Sequence, residues 1–255
     1  MRIIPVILIF GVSAILLGGT AFAINRNSPP AFREAQEQLI QMTDEEHRAV
    51  AEQAKKRPAI EKKFAEQLSI AYSMPEEVVA EVNGENVLAS DLIRQRAFLE
   101  KQESNKLIPF TITEESVVKA VIKEKAIIAE AGKRGLLPMP QEIDDYVQWQ
   151  KDMLAEALSN TENSALQTMN KDVWNSYLAG LGVTEQEFWS NIAPEEYAKG
   201  LTTVKLRDSV MNEVPLEDTT PEEYLQQQSL AWENFTEQLI SNAEVSVINP
   251  SLFKY

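Results

Sequence analysis

The sequence has no cysteine, a single histidine, nine glycines, and 24 basic against 39 acidic side chains in 255 residues. Each shortage removes a class of function. Without cysteine there is no disulfide framework, no thiolate metal site, no cysteine nucleophile and no lipid attached to an N-terminal Cys. So few glycines leave little room for phosphate-cradling loops. The net charge of −15 repels nucleic acid phosphates and excludes a generally basic surface. What is present is apolar mass: 44% hydrophobic residues, with four Trp, nine Phe and six Tyr, which exceeds what a disordered chain carries. The length suffices for one large or two small domains with a sizeable core.

The acidity is local. Residues 140–255 hold 20 acidic and 6 basic groups, whereas residues 78–139 balance at 9 and 9. Such a field keeps that part soluble and steers basic partners toward it at low salt.

Arg2 precedes 22 uncharged, mostly apolar residues from Ile3 to Ile24. That span is enough to cross a hydrocarbon core of about 30 Å at about 1.5 Å per residue. Residues 1–24 are read as a signal peptide or a transmembrane anchor. The small-residue pattern Ala21-Phe22-Ala23 suits cleavage, while a run longer than an ordinary h-region of about 7–15 residues suits retention. Either reading places the following chain outside the cytoplasm, anchored to the cytoplasmic membrane or secreted. Arg2 and the terminal amine favour that topology and Arg26 opposes it.

Residues 25–77 read as a linker and helical spacer. The run Asn-Arg-Asn-Ser-Pro-Pro at 25–30 cannot continue a helix. Residues 31–72 predict two helices broken at Pro58, with a narrow apolar stripe that suits a solvated spacer or a helix lying against the main domain. His47, among Asp44, Glu45, Glu46 and Arg48, reads as a surface residue.

Residues 78–255 predict one mainly α, α+β domain: several helices closed by a small sheet of two to three strands. Val78 to Val82 alternates in the β manner, Asn83-Gly84 is a two-residue hairpin signal, and Glu85 to Leu88 returns as a second strand. A lone hairpin is unstable in water, so a third strand is required, and Glu244 to Ile248 at the far end supplies it. The intervening chain is helical by pattern. Helix starts are predicted at Ser90, at Thr111 with Glu114, at Pro140, at Thr184 with Glu187, and at Thr220-Pro221. Helix ends are predicted near Gly132 and Gly135 and at Gly180 and Gly182, and Pro194 divides two further helices. Leu225, Leu230, Trp232, Phe235 and Leu239 lead the last helix into the closing strand.

The run Val79-Ala80-Glu81-Val82-Asn83-Gly84-Glu85, then Ser90-Asp91-Leu92, then Glu130-Ala131-Gly132 with Gly135-Leu136, then Gly182-Val183-Thr184 with Glu187-Phe188-Trp189, resembles the N-terminal chaperone module of exported foldases of the SurA and PrsA type. The resemblance covers about residues 78–214, with the last helix and strand as its completion. It implies a helical lobe that cradles unfolded exported polypeptides. Those foldases carry a parvulin-type prolyl isomerase domain before the final helix and strand, and here Val214 to Thr219 leaves no room for one. A parvulin site also resembles a pair of His, and this chain has only His47. No catalytic residue, cofactor or metal is expected.

Two spellings of chemistry are outweighed by their setting. Ser116-x-x-Lys119 has a penicillin-binding-type spacing but lies inside an amphipathic helix without the accompanying motifs. The acid pairs Asp144/Asp145, Glu195/Glu196 and Glu222/Glu223 fall in first turns, where carboxylates favour the helix dipole. The aromatic side chains remain open between core and client surface: Tyr146, Trp149, Met153, Trp174, Tyr177, Phe188 and Trp189 are the client-binding candidates. Trp149, out of phase with Ile143, Val147 and Leu154, is the one expected to face a groove. The expected function is an extracytoplasmic chaperone-like module that binds unfolded or partly folded exported proteins without catalysis. A non-enzymatic adaptor for one partner and a prolyl isomerase by family association are the alternatives.

Overall fold

The computed structural model describes residues 44–105, 111–159, 164–215 and 220–253, with side chains for 55–105, 111–159, 167–215, 220 and 223–253. The expected leader, the linker at 25–30 and the side chain of His47 lie outside what is described. The described chain is mostly helical, with one small antiparallel sheet.

The sheet forms as the alternation and turn chemistry require. Strands β1 (Val78–Val82) and β2 (Glu85–Leu88) join through Asn83 and Gly84 at φ of 51° and 88°, the left-handed pair that matches the twist of a tight hairpin. Strand β3 (Val245–Val247) pairs antiparallel with the other side of β1, Val82 opposite Val245 and Ala80 opposite Val247, in the order β2-β1-β3. The two ends of residues 78–248 are therefore neighbours, as the instability of a lone hairpin demands. Asn83 ties the turn to the returning strand: its N–H donates to the Glu244 carbonyl at 2.9 Å, and its Oδ1 accepts from the Glu244 N–H at 2.8 Å. Alternation is not strict, because a register irregularity between Val78 and Ala80 buries Val79, Ala80 and Val82 together.

The helices are α1 (Asp44–Ser73), α2 (Ala89–Ser104), α3 (Glu114–Lys133), α4 (Pro140–Ser159), α5 (Ser164–Leu181), the short α6 (Glu185–Glu187), α7 (Ala193–Asn212) and α8 (Pro221–Ser241). The starts of α2, α3, α6 and α8 are set by side chains that satisfy N–H groups at the helix entrance. Thr184 with Glu187 and Thr220 with Glu223 form the expected reciprocal boxes, the glutamates accepting from the threonine N–H groups at 2.7 and 2.9 Å. Two starts differ from expectation. Helix α2 is capped by Asp91, which accepts from the Leu88 N–H at 3.0 Å, in place of Ser90. Helix α3 begins with Thr113 and Ser116, two residues after the predicted Thr111 and Glu114, because each hydroxyl accepts the other's backbone N–H, at 2.9 and 3.1 Å. At the end of α3, Gly135 at φ 68° lets Leu136 donate to the Ala131 carbonyl at 2.8 Å, and Leu136 then packs on Ala131 and Ile127.

Two prolines act more mildly than predicted. Pro58 lies inside the single helix α1 rather than breaking it. Proline costs a helical N–H bond and crowds a carbonyl one turn back, but the turns after Pro58 bury Phe64, Ala65, Leu68 and Ala71. Tertiary burial outweighs the local penalty. This burial matches the helix lying against the main domain rather than the solvated spacer. Before Pro194 the backbone opens into a π-helical turn, Phe188–Ile192, and continues directly into α7. Such a turn widens the ladder where proline has no N–H to give.

The interior has two large apolar centres. At one end, Val79, Val82 and Val87 of the sheet meet Val121 and Ile122 of α3 and the almost fully enclosed Phe253. At the other, Phe64 of α1, Trp174 and Tyr177 of α5, Phe188 and Trp189 of the π-turn and Tyr197 of α7 form a stacked and edge-on aromatic cluster. Helices α1 and α5 touch backbone to side chain at Gly180, where a Cβ would stand 2.5 Å from the Lys62 carbonyl and 2.7 Å from the Ala65 Cβ. Only glycine permits that approach.

Candidate functional site

The seven candidate residues divide by burial. Trp174, Tyr177, Phe188 and Trp189 are between 2% and 5% exposed and belong to the aromatic core, so in this conformation they offer no surface to a client. Burial pushes the Tyr177 phenol pKa well up, and the neighbouring Tyr72 and Glu196 add to the rise. Of the two readings left open for these four, core and client surface, packing decides for core: each ring fills the space between α1, α5 and α7 against other rings. Tyr146 and Met153 are half-buried at the margin of that core, and Trp149 is half-buried without joining it. These three recur at the i, i+3, i+7 spacing of one helical face. The Tyr146 ring lies 5.4 Å from Trp149 on one side and 5.4 Å, edge-on, from Tyr197 on the other. Thus α4 presents a partly exposed aromatic strip backed by a rigid base. The exposed Asp145 and Asp152 lie beside it in sequence, accepting from Gln141 and Gln148 one turn earlier.

The acid pairs and the Ser-x-x-Lys spelling resolve into structural roles. Ser116 spends its hydroxyl on the α3 cap and Lys119 is exposed. Glu223 caps α8. Glu196, in contrast, belongs to a charged cluster that sequence reasoning missed. Arg94 of α2, 4% exposed, donates from Nη2 to Asp91 at 2.9 Å and from Nη1 to Glu196 at 3.3 Å, and also pairs with Glu124 of α3. Lys125 reaches the other Asp91 oxygen at 2.7 Å, and Lys199 of α7 bridges Glu195 and Glu196 at 2.7 and 3.2 Å. Burial would raise the Asp91 carboxyl pKa, but Arg94 and Lys125 beside it outweigh burial and hold it below the ordinary aspartate range. Burial likewise disfavours the Arg94 charge, and Glu124, Glu196 and Asp91 more than offset it. These mutually engaged side chains join α2, α3 and α7. The only signal in sequence is Asp91 at a helix start with Arg94 one turn later.

A second charged feature lies between α1 and α2. Lys101 Nζ and Glu61 Oε2 form a 2.6 Å ion pair, each side chain 1% exposed, with the ammonium 4.4 Å from the centre of the Phe64 ring. Burial lowers the Lys101 pKa against the opposing pull of Glu61. Above this pair opens a trough of about 480 Å³. Ala59, Ile60 and the exposed Lys55, Lys56 and Lys63 line it beside the enclosed Phe64, with Lys63 held by Glu100 at 3.1 Å. Among the described residues no group of three or more His, Asp or Glu is arranged to hold a metal ion, and no helix is long and apolar enough to cross a membrane.

Comparison of the chain with protein-family models, with curated proteins and with solved structures gives no match.

Proposed function

We propose that this chain is an extracytoplasmic binding module, membrane-associated or secreted, that holds unfolded or partly folded exported polypeptides by reversible contact and without covalent chemistry. The observation that carries the reading is the strip of Tyr146, Trp149 and Met153: apolar, half-exposed, on one face of α4, and backed through Tyr197 by the aromatic core. Flat rings and a flexible thioether suit varied apolar partners, and the acidic surroundings in residues 140–255 keep such a strip from self-association. Covering about 500 Å² of apolar surface at about 25 cal/mol/Å² gives a gross gain near 12 kcal/mol, most of it cancelled by ordering costs. Micromolar, reversible holding follows. The uncharged run at 3–24 supports the compartment.

The test is suppression of aggregation of several unrelated denatured clients at near-stoichiometric ratio. Trp149→Ala weakens suppression while shifting fold stability by no more than about 1 kcal/mol, since the residue is half-exposed. Equal aggregation with and without the protein, or full activity in Trp149→Ala, overturns the reading.

A further inference from the structure

The border of the aromatic strip on α4 carries charge of one sign that the fold does not use. Asp145, Asp152 and Glu156 stand at i−4, i+3 and i+7 from Trp149, so at about 100° per residue they line the solvent side of the face that holds Tyr146, Trp149 and Met153. All three carboxylates are exposed. Asp145 and Asp152 accept from neutral amides, Gln141 Nε2 at 3.0 Å and Gln148 Nε2 at 2.8 Å, and no ion pair among the described residues involves any of the three. The nearest cations are engaged elsewhere. Lys205 of α7 holds Glu142 at 2.9 Å. Lys151, the one basic residue of α4, lies two positions beyond Trp149 and therefore across the helix, 5.8 Å from the centre of the Trp189 ring. Beside Tyr146, one turn on, Gln150 is 3% exposed and its Oε1 has no hydrogen-bond partner among the described residues, so the base of the strip, like its border, holds an unused acceptor.

We propose that this face selects, among unfolded segments, those in which apolar residues are flanked by lysine or arginine. The inference rests on the reading that the strip holds clients, and it names which clients. Apolar side chains of the segment cover Trp149 and Met153, while cations on either side of them meet Asp145 at one end and Asp152 and Glu156 at the other. From Asp145 to Glu156 the frame is about 16 Å long at about 1.5 Å per residue, which an extended segment crosses in about five residues of about 3.3 Å. A carboxylate with no cation of its own gives up nothing when an incoming ammonium or guanidinium arrives, whereas one already paired must first lose its partner. The same three groups repel a segment flanked by aspartate or glutamate, so the border rejects as well as attracts. Apolar area supplies the holding and the border supplies the choice.

The experiment titrates the full chain into three fluorescently labelled peptides: an apolar core with lysine and arginine flanks, the same core with glutamate flanks, and the basic flanks around a core of serine and glycine. Anisotropy gives the affinities. The basic-flanked apolar peptide is expected to bind at least about tenfold tighter than either of the others, and its advantage over the glutamate-flanked peptide shrinks as salt rises. Neutralising the border by Asp145→Asn, Asp152→Asn and Glu156→Gln together cuts that advantage to about twofold or less. The same change of net charge made elsewhere, Glu233→Gln, Glu237→Gln and Glu244→Gln, keeps it. All six side chains are exposed, so circular dichroism and the urea midpoint of both variants stay close to the parent protein. Trp149→Ala weakens both peptides that carry the apolar core. If the basic- and glutamate-flanked peptides bind alike and Trp149→Ala weakens both, the selection falls while holding by the strip stands. If neither binds, or Trp149→Ala changes nothing, both readings fall. Equal capture of the serine–glycine peptide, or an equal loss of preference in the remote variant, overturns the proposal because the attraction then belongs to the net charge of −15. Self-association in sedimentation with no preference between peptides overturns it in favour of a second copy of the chain.

Discussion

The two apolar centres of this protein are built from different side chains, and the difference decides how each is recognised. The sheet end is aliphatic and β-branched: Val79, Val82, Val87, Val118, Val121 and Ile122 have one plausible place, the interior, since they carry no polar atom and little shape variety. The aromatic end uses Phe64, Trp174, Tyr177, Phe188, Trp189 and Tyr197, side chains that serve equally well in cores and at binding surfaces. Helix α2 runs between the two, giving Ala89 to the first centre and Ala97 to the second, and the Arg94 cluster sits on α2 between those residues. The charged cluster is thus the seam that joins an aliphatic end to an aromatic one.

Cutting that seam has the largest expected effect. Arg94→Ala leaves Asp91, Glu124 and Glu196 without their shared cation in a buried setting, for a cost of about 3–5 kcal/mol in urea unfolding. If the seam also couples the ends, tryptophan fluorescence and backbone circular dichroism cease to report one coincident transition in the variant. Of the four tryptophans, Trp149, Trp174 and Trp189 lie at the aromatic end and report it first. Next comes Gly180→Ala, which perturbs the aromatic end alone: its Cβ meets the Lys62 carbonyl, α1 must move off α5, and the cost is about 1–3 kcal/mol. The matching change at the sheet end is Gly84→Ala, where φ of 88° penalises any side chain but nothing stands within 4 Å. The expected cost is smaller, about 1 kcal/mol, read from thermal or urea midpoints.

The sheet was legible because its signals are local and redundant: Asn83-Gly84 fixes the turn, and the need for a third strand points to the only other β-like run, which pairs Val245 with Val82. Helix starts at Thr184 and Thr220 were legible for the same reason. Phe253, buried at the sheet end, was invisible because it follows Pro250 outside any periodic element. The role of α1 was legible only in part, since Pro58 argues for a break and only tertiary burial of Phe64 and Leu68 overrules it. On α4, Trp149 is half-buried like its face-mates Tyr146 and Met153, and like the in-phase Ile143, so its phase alone does not set it apart. Trp174 and Trp189 could not be assigned from spacing, because a core stripe and a binding stripe have the same helical period. The trough was illegible: the lysines at 55, 56 and 63 look like any solvated face until α2 lies alongside and supplies a wall.

Acid distinguishes the two ends by the smallest expected effect. Each end has a helix start held by a carboxylate: Asp91 caps α2 beside the sheet, and Glu187 caps the short α6 that enters the aromatic end. Both carboxyls are held below their ordinary values, for different reasons. Asp91 is kept ionised by Arg94 and Lys125 against the opposing effect of burial, whereas Glu187, on the surface, is kept ionised by the Thr184 backbone N–H and hydroxyl. A carboxyl whose pKa is depressed in the folded state takes up its proton later than in the unfolded chain. Each therefore stabilises the fold fully above the ordinary values of 3.8 and 4.5, and the contribution is lost as the pH falls through the folded-state pKa. Salt tells the two apart. Carboxyl NMR titration in high salt moves Glu187 little, because a backbone hydrogen bond is local. If Asp91 owes its shift to the cations of the seam, its midpoint moves back toward the ordinary value in Arg94→Lys, where one ammonium replaces a guanidinium that reaches three carboxylates, while Glu187 stays where it is. An unmoved Asp91 midpoint in that variant would mean that the Leu88 N–H and Lys125 hold the charge, and that the seam joins the two ends through packing rather than through Arg94.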